Sequence, residues 1–182
     1  MSAPHLEKYR YIAIEGPIGA GKTSLAKRLA ARLGGATLLE RPDANPFLRR
    51  FYLDRARYAL PTQLFFLFQR VDQLRNAAQP DLFARLTVAD FLLEKDPLFA
   101  GLTLAGDELA LYQRIYDSLR PQAPVPDLVI YLHAATATLR ERVERRGIDY
   151  ESPISETYLA ALADVYGRFF YHYAEAPLLV VN

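Results

Sequence analysis

The sequence has no cysteine and no tryptophan, and only one methionine and three histidines in 182 residues. Without cysteine there is no disulfide and no thiolate metal site. His5, His133 and His172 are scattered without metal-ligand spacing, so a histidine-based centre is not expected. No apolar run approaches the length of a membrane span, and the first residues lack the apolar core of a signal peptide. A net charge of +1 gives no broad basic surface for nucleic acid or an anionic membrane. The expectation is a soluble cytoplasmic protein, one domain over residues 1–182, with neither nucleic acid nor membrane as a partner.

What is present begins with Gly16, Pro17, Ile18, Gly19, Ala20, Gly21, Lys22 and Thr23, followed by Ser24. The apolar run Tyr11–Ile14 precedes this stretch and an amphipathic run to Leu33 follows it, so the context is strand, glycine-rich turn, helix. The spacing G-x-x-x-x-G-K-[ST] lets backbone N–H groups approach a polyphosphate closely. The N-terminus of the helix adds a positive partial charge at the same place. Lys22 is a point charge for the outer phosphates, and the Thr23 hydroxyl is a hard oxygen ligand for Mg²⁺.

The spacing predicts strands at residues 9–15, 37–39, 86–90, 128–132 and 178–181. Helices are predicted over 21–34, 46–54, 106–119, 136–146 and 153–174, with a long one opening at Pro61, where proline suits the first helical position. Strands alternating with helices imply an α/β fold, a doubly wound parallel sheet whose ligands sit at the carboxyl ends of the strands. Gly16, Glu40 and Asp90 should lie there. Asp90 is either a Mg²⁺ ligand opposite Thr23 or a helix N-cap. Glu40 is either a solvated loop carboxylate or a proton acceptor for a hydroxyl. Gln63 and Arg70 are seven apart, so they share a helix face, and burial demands polar partners for both. Phe65, Phe66 and Phe68 read as core. Arg142, Arg145 and Arg146 before Gly147 suit either a lid over transferring phosphates, at about residues 142–151, or a solvated helix end.

These residues together resemble the deoxynucleoside kinases, in particular the bacterial deoxyadenosine/deoxyguanosine kinase-like branch. The phosphate loop Ile14-Glu-Gly-Pro-Ile-Gly-Ala-Gly-Lys-Thr23, the segment Glu40–Leu48, Phe51-Tyr52-Leu-Asp54 with Gln63, Val88–Ala100 and Arg142–Glu151 carry the resemblance over nearly the whole chain. It implies a three-layer P-loop kinase fold with a five-stranded parallel sheet and helices on both faces. It also implies ATP as phosphoryl donor, Mg²⁺, a deoxynucleoside acceptor (a purine from the branch), nucleotide salvage and a homodimer. By the same likeness Glu40 would be the general base on the 5′-hydroxyl. Tyr52 and Glu151 would hold the 3′-hydroxyl, and Gln63, Arg70, Asp96 and Phe99 the base. Lys22, Arg142 and Arg146 would serve the phosphates.

Three departures stand out. Many relatives carry an arginine where Phe91 stands, and Lys95, about one helical turn on, is the residue able to replace that charge. Ile148 takes the place of a second lid arginine. The chain stops at Asn182, directly after the final strand, where relatives continue into a loop holding the donor's adenine. The expectation is a truncated chain or weak donor-base selectivity. The rivals are a nucleoside monophosphate kinase of the thymidylate kinase type, which would need extra basic residues for an acceptor phosphate, and a non-catalytic nucleotide-bound regulator.

Overall fold

Among the described residues, 9–78 and 86–182 of the computed structural model, five apolar runs pair as a single parallel sheet in the order β2-β3-β1-β4-β5. The strands are β1 (Tyr11–Glu15), β2 (Ala36–Leu38), β3 (Thr87–Ala89), β4 (Leu128–Leu132) and β5 (Leu178–Val181). β1 lies at the centre, with Tyr11 opposite Thr87, Ala13 opposite Ala89 and Ile12 opposite Leu128. The helices are α1 (Lys22–Leu33), α2 (Leu48–Leu53), α3 (Arg55–Ala78), α4 (Asp96–Thr103), α5 (Gly106–Leu119), α6 (Thr136–Arg146) and α7 (Glu156–Tyr171). His5 lies outside the described residues.

Both faces of a parallel sheet must be covered, and the two-residue period of the strands shows how. Ile12, Ile14, Val88, Ile130 and Leu132 turn to one side, onto Ala26 and Ala30 of α1 and Leu139 of α6. Ala13, Val129 and Tyr131 turn to the other, onto Leu162, Tyr166 and Phe170 of α7. Ala89 joins a third cluster built from α2, α3, α4 and α5, with Leu67, Val71, Leu74 and Tyr112 at its centre. The result is the expected three-layer arrangement.

Several element boundaries differ from the sequence-based expectation. The long helix α3 does not open at Pro61. It starts at Arg55, and Pro61 lies inside it. The Asp54 carboxylate accepts the Arg57 N–H at 3.2 Å, and this cap starts the helix about one and a half turns earlier. Pro61 has no N–H, so the Arg57 carbonyl lacks its usual partner four residues on. The helix expected from Pro46 begins at Leu48, because the Asn45 side chain accepts the Phe47 N–H at 3.0 Å and closes a turn first. α7 begins at Glu156 rather than Pro153, with Ser155 capping the Tyr158 N–H at 3.1 Å. The eight-residue α4 is absent from the sequence-based expectation.

The phosphate loop is packed between β1 and α6. Gly19 has φ +86°, and a Cβ there would sit 2.6 Å from the Leu139 carbonyl oxygen of α6. Only glycine tolerates both that dihedral and that approach. Gly19→Ala should therefore push α6 and its arginines away from the loop. A loss of about 1–3 kcal/mol in unfolding free energy is expected in urea denaturation, the cost typical of a strained backbone site, together with weaker triphosphate binding by calorimetry.

Candidate active site

The carboxyl ends of β1, β2 and β3 present Gly16, Glu40 and Asp90 along one edge of the sheet. Asp90 follows β3 and joins the other two. Its Oδ2 accepts the Thr23 hydroxyl at 2.6 Å, and its Oδ1 accepts the Glu40 N–H at 2.7 Å. Lys22 curls back over the loop, donating to the carbonyls of Gly16 at 2.7 Å and Pro17 at 3.2 Å. Burial lowers its pKa, and the Glu15 carboxylate opposes that shift.

Glu40 is held by cations from two directions. Arg70 of α3 donates Nε to Glu40 Oε1 at 2.7 Å and adds a short contact from its terminal nitrogen. Lys95 Nζ lies 2.8 Å from the same oxygen. Burial alone would raise the Glu40 carboxyl. Arg70 and Lys95 outweigh it and hold Glu40 well below the ordinary carboxylate range. Arg70 also makes a close contact to Asp96 Oδ1 through its other nitrogen. Asp96 is fully buried and its Oδ2 has no hydrogen-bond partner. Burial pushes Asp96 up to about 7, against the pull of Arg70 and Lys95. Lys95 in turn lies 3.9 Å from Glu15, which is 0% exposed. Glu15 accepts the Gly16 N–H at 2.8 Å, the Leu92 N–H at 2.8 Å and the Tyr166 hydroxyl at 3.0 Å.

Two cavities meet at this edge. The inner one, about 170 Å³, is walled by Glu40, Tyr52, Gln63, Phe66, Arg70, Phe99 and Glu151 among others. The outer one, about 730 Å³, runs over the phosphate loop and under Arg142, Arg145 and Arg146. Gly19, Lys22, Thr23 and Arg146 belong to both. Gly21, Ser24 and Ala20 line the outer cavity, while Ile18 lines the inner one. Asp96 stands behind Arg70 and lines neither. Gln63 donates to the Thr103 hydroxyl at 3.2 Å. Arg142 donates to the Ala20 carbonyl at 3.3 Å. Arg146 pairs with Glu151, at 3.0 Å from Nε and 2.6 Å from its terminal nitrogen. Glu151 is thus engaged by the lid arginine. Phe66 lines the inner cavity and Phe68 is exposed, so neither is the plain core residue expected. Phe91 is fully buried in the hydrophobic cluster.

Several wall and support residues escape a reading of the sequence. Thr62 lines the inner cavity with a hydroxyl that has no hydrogen-bond partner. Tyr150 and Tyr158 also line it, and Arg28 lines the outer cavity. Gln73 and Gln69 of α3 donate to the carbonyls of Leu39 at 2.8 Å and Arg41 at 3.3 Å, pinning the backbone on both sides of Glu40. A polar residue every third or fourth position on an otherwise apolar α3 is the available signal for those two. Among the described residues, no group of three or more His, Cys, Asp or Glu is placed to hold a metal ion, and no helix is long and apolar enough to cross a membrane.

A family model for deoxynucleoside kinase matches residues 12–182. Deoxyguanosine kinase from Bacillus subtilis (strain 168) is 37% identical over 157 residues, 86% of this chain and 76% of that protein. Deoxyadenosine kinase from Lactobacillus acidophilus is 30% identical over 185 residues, 94% of this chain and 84% of that protein. Among solved structures, deoxyadenosine kinase from M. mycoides with dCMP and dCDP bound superposes with a TM-score of 0.85 at 26% identity, over 94% of this chain and 90% of that one. The chain belongs to the deoxynucleoside kinase family, whose members are nucleotide-dependent phosphotransferases.

Arg70→Met should cost about 3–5 kcal/mol in urea unfolding, because it leaves Glu40 and Asp96 buried without their shared cation. The Glu40 part has a definite pH sign. Its folded-state pKa is depressed, so its stabilisation is present above the unfolded value of about 4.3 and is lost as pH falls below that toward the folded value. The difference between wild type and variant should accordingly shrink in denaturation series run toward acid pH.

Proposed function

We propose that the chain transfers the γ-phosphoryl group of ATP to the 5′-hydroxyl of a deoxynucleoside, with a purine as the base. The observation that carries this is the meeting of the two cavities at Lys22, Thr23 and Arg146, with the Glu40 carboxylate on the inner side. The outer cavity, with the loop amides and Arg142, suits a triphosphate. The inner one offers Gln63 for a base edge and Phe99 for stacking, with Arg70 and Asp96 behind. Tyr52 and Glu151 are near the sugar position and would fill the space beneath a 2′-deoxyribose. The purine preference is supported by the deoxyguanosine and deoxyadenosine kinases among the relatives.

The acceptor oxygen attacks the γ-phosphorus, the bond to the β-phosphate oxygen breaks, and the acceptor proton passes to Glu40. The transition state is loose, so little base strength is needed early. A carboxylate kept ionised by Arg70 and Lys95 fits this chemistry, since it is always ready to accept, orients the hydroxyl, and takes the proton late. Lys22 would turn from the loop carbonyls to the β/γ-phosphates, and Arg142 and Arg146 would offset charge on the transferred group. The converging Thr23 hydroxyl and Asp90 carboxylate are hard oxygens that would hold Mg²⁺. When bound, Mg²⁺ would neutralise negative charge on the triphosphate. The same reading includes a cytoplasmic location and a homodimer, for which the exposed Phe68 of α3 and Leu111 of α5 offer apolar contact.

The test is a panel of the four deoxynucleosides with Mg-ATP, scored for monophosphate formation. Turnover of a purine deoxynucleoside is expected, and Glu40→Gln should lower kcat about 10²- to 10⁴-fold, the range typical of a positioned acid–base group, with acceptor binding nearly intact. No product from any deoxynucleoside, with thermal stabilisation by a monophosphate alone, would favour the thymidylate kinase-type reading instead. Lys95→Ala should also slow transfer. An unchanged rate would exclude Lys95 as the cation standing in for the arginine absent at Phe91.

A further inference from the structure

The short turn that carries Glu151 also carries Tyr150, and Tyr150 lines the inner cavity. Its hydroxyl donates to Asp43 Oδ1 at 3.1 Å, in the 3-10 turn just after Glu40. Its ring lies nearly parallel to that of Tyr52, at 16° with centroids 6.3 Å apart. The guanidinium of Arg49 stands 5.7 Å from the Tyr150 ring centroid. Tyr52 and Arg49 belong to α2. One side chain thus ties the lid both to α2 and to the loop after Glu40, which also line the inner cavity.

We propose that Tyr150 is a positioning residue that latches the lid over the acceptor, and so prepares both Glu151 and Arg146 before the acceptor arrives. This rests on the reading of the inner cavity as the acceptor site. Tyr150 and Glu151 are consecutive in a single 3-10 turn, Asp149–Glu151, with almost no freedom between them. Glu151 holds Arg146 by two oxygens, and Arg146 faces both cavities. Docking Tyr150 on Asp43 and Tyr52 therefore places the sugar-side carboxylate and the phosphate-side arginine in one step. A lid ordered in advance saves the acceptor the cost of ordering it, and that saving appears as affinity for the acceptor. Arg146 also borders the donor cavity, but that cavity keeps the loop amides, Lys22, Arg142 and Arg145, which the latch does not touch, so donor affinity should share little of the gain.

The experiment compares Tyr150→Phe, Tyr150→Ala, Asp43→Ala and the double variant Tyr150→Phe/Asp43→Ala. For each, KM of the deoxynucleoside that the wild type turns over is measured beside KM of ATP and the thermal midpoint. Tyr150→Phe loses one hydrogen bond and keeps the ring, so acceptor KM should rise about threefold. Tyr150→Ala loses the ring contact as well, and a rise of about tenfold or more is expected. KM for ATP should stay within about twofold in every variant, a change of only about 0.4 kcal/mol at tenfold per 1.4 kcal/mol. The double variant should be no worse than Asp43→Ala, because both changes remove the same bond. A merely structural role would lower the thermal midpoint and move both KM values together, and that outcome overturns the latch. So does an unchanged or lowered acceptor KM in Tyr150→Ala. The wild-type control separates the two levels: if the wild type phosphorylates no deoxynucleoside, the reading of the cavity fails; if it does and Tyr150→Ala matches it, only the latch fails.

Discussion

Everything at the carboxyl edge of the sheet hangs on a row of alternating charges withdrawn from water. Glu15, Lys95, Glu40, Arg70 and Asp96 follow one another at contact or near-contact distance, and each comes from a different element: β1, the turn before α4, the loop after β2, α3 and α4. Burying a single charge costs several kcal/mol, and the row is tolerable because each inner member has an opposite charge on both sides. That requirement fixes the relative positions of five elements more tightly than apolar packing would. Hydrophobic contacts allow repacking at modest cost; a buried ion without its partner does not. The row thus specifies where Glu40 points, and the depressed pKa of that carboxylate follows from the same cations that hold it.

Glu15 shows how a residue with no access to ligand still shapes the site. Its two oxygens tie the first phosphate-loop amide to the backbone after Asp90 and to the hydroxyl of Tyr166 in α7. The donor loop, the strand-end acid and the helical layer behind the sheet are therefore one rigid piece. α3 plays the matching part on the acceptor side, where Gln73, Arg70 and Gln69 grip Leu39, Glu40 and Arg41 in turn. Glu40 sits on a loop and is held there as firmly as a residue in a strand.

The phosphate loop, β1, β4, α5 and α6 are legible from local pattern, because each is a strongly periodic run with its own start or stop signal. The family likeness is legible too, from motifs spread along the chain. Pro61 misleads because a good N-cap at Asp54 outranks a proline's preference for the first turn. α4 escapes because Asp96-Pro97 lies among apolar residues with no polar face to betray a helix. The charge row is only half visible. Arg70 and Gln63 look expensive to bury, but the identity of their partners depends on contacts between residues 26 to 40 positions apart, which no local period encodes. The reach of Tyr150 to Asp43, 107 positions away, is hidden for the same reason, whereas the pairing of Arg146 with Glu151 spans five positions and depends on how the chain turns after Gly147.

The register between β1 and β3 is short, with Ala13 opposite Ala89 as its last pair before Asp90. Side chains alternate faces along a strand, so sliding β3 by one residue would turn that aspartate away from Thr23 and present an apolar neighbour in its place. The hydrophobic packing of Val88 and Ala89 on opposite faces forbids the slide. Accuracy at the phosphate-binding edge is in this sense inherited from the alternation of small and branched apolar residues in the middle of the sheet.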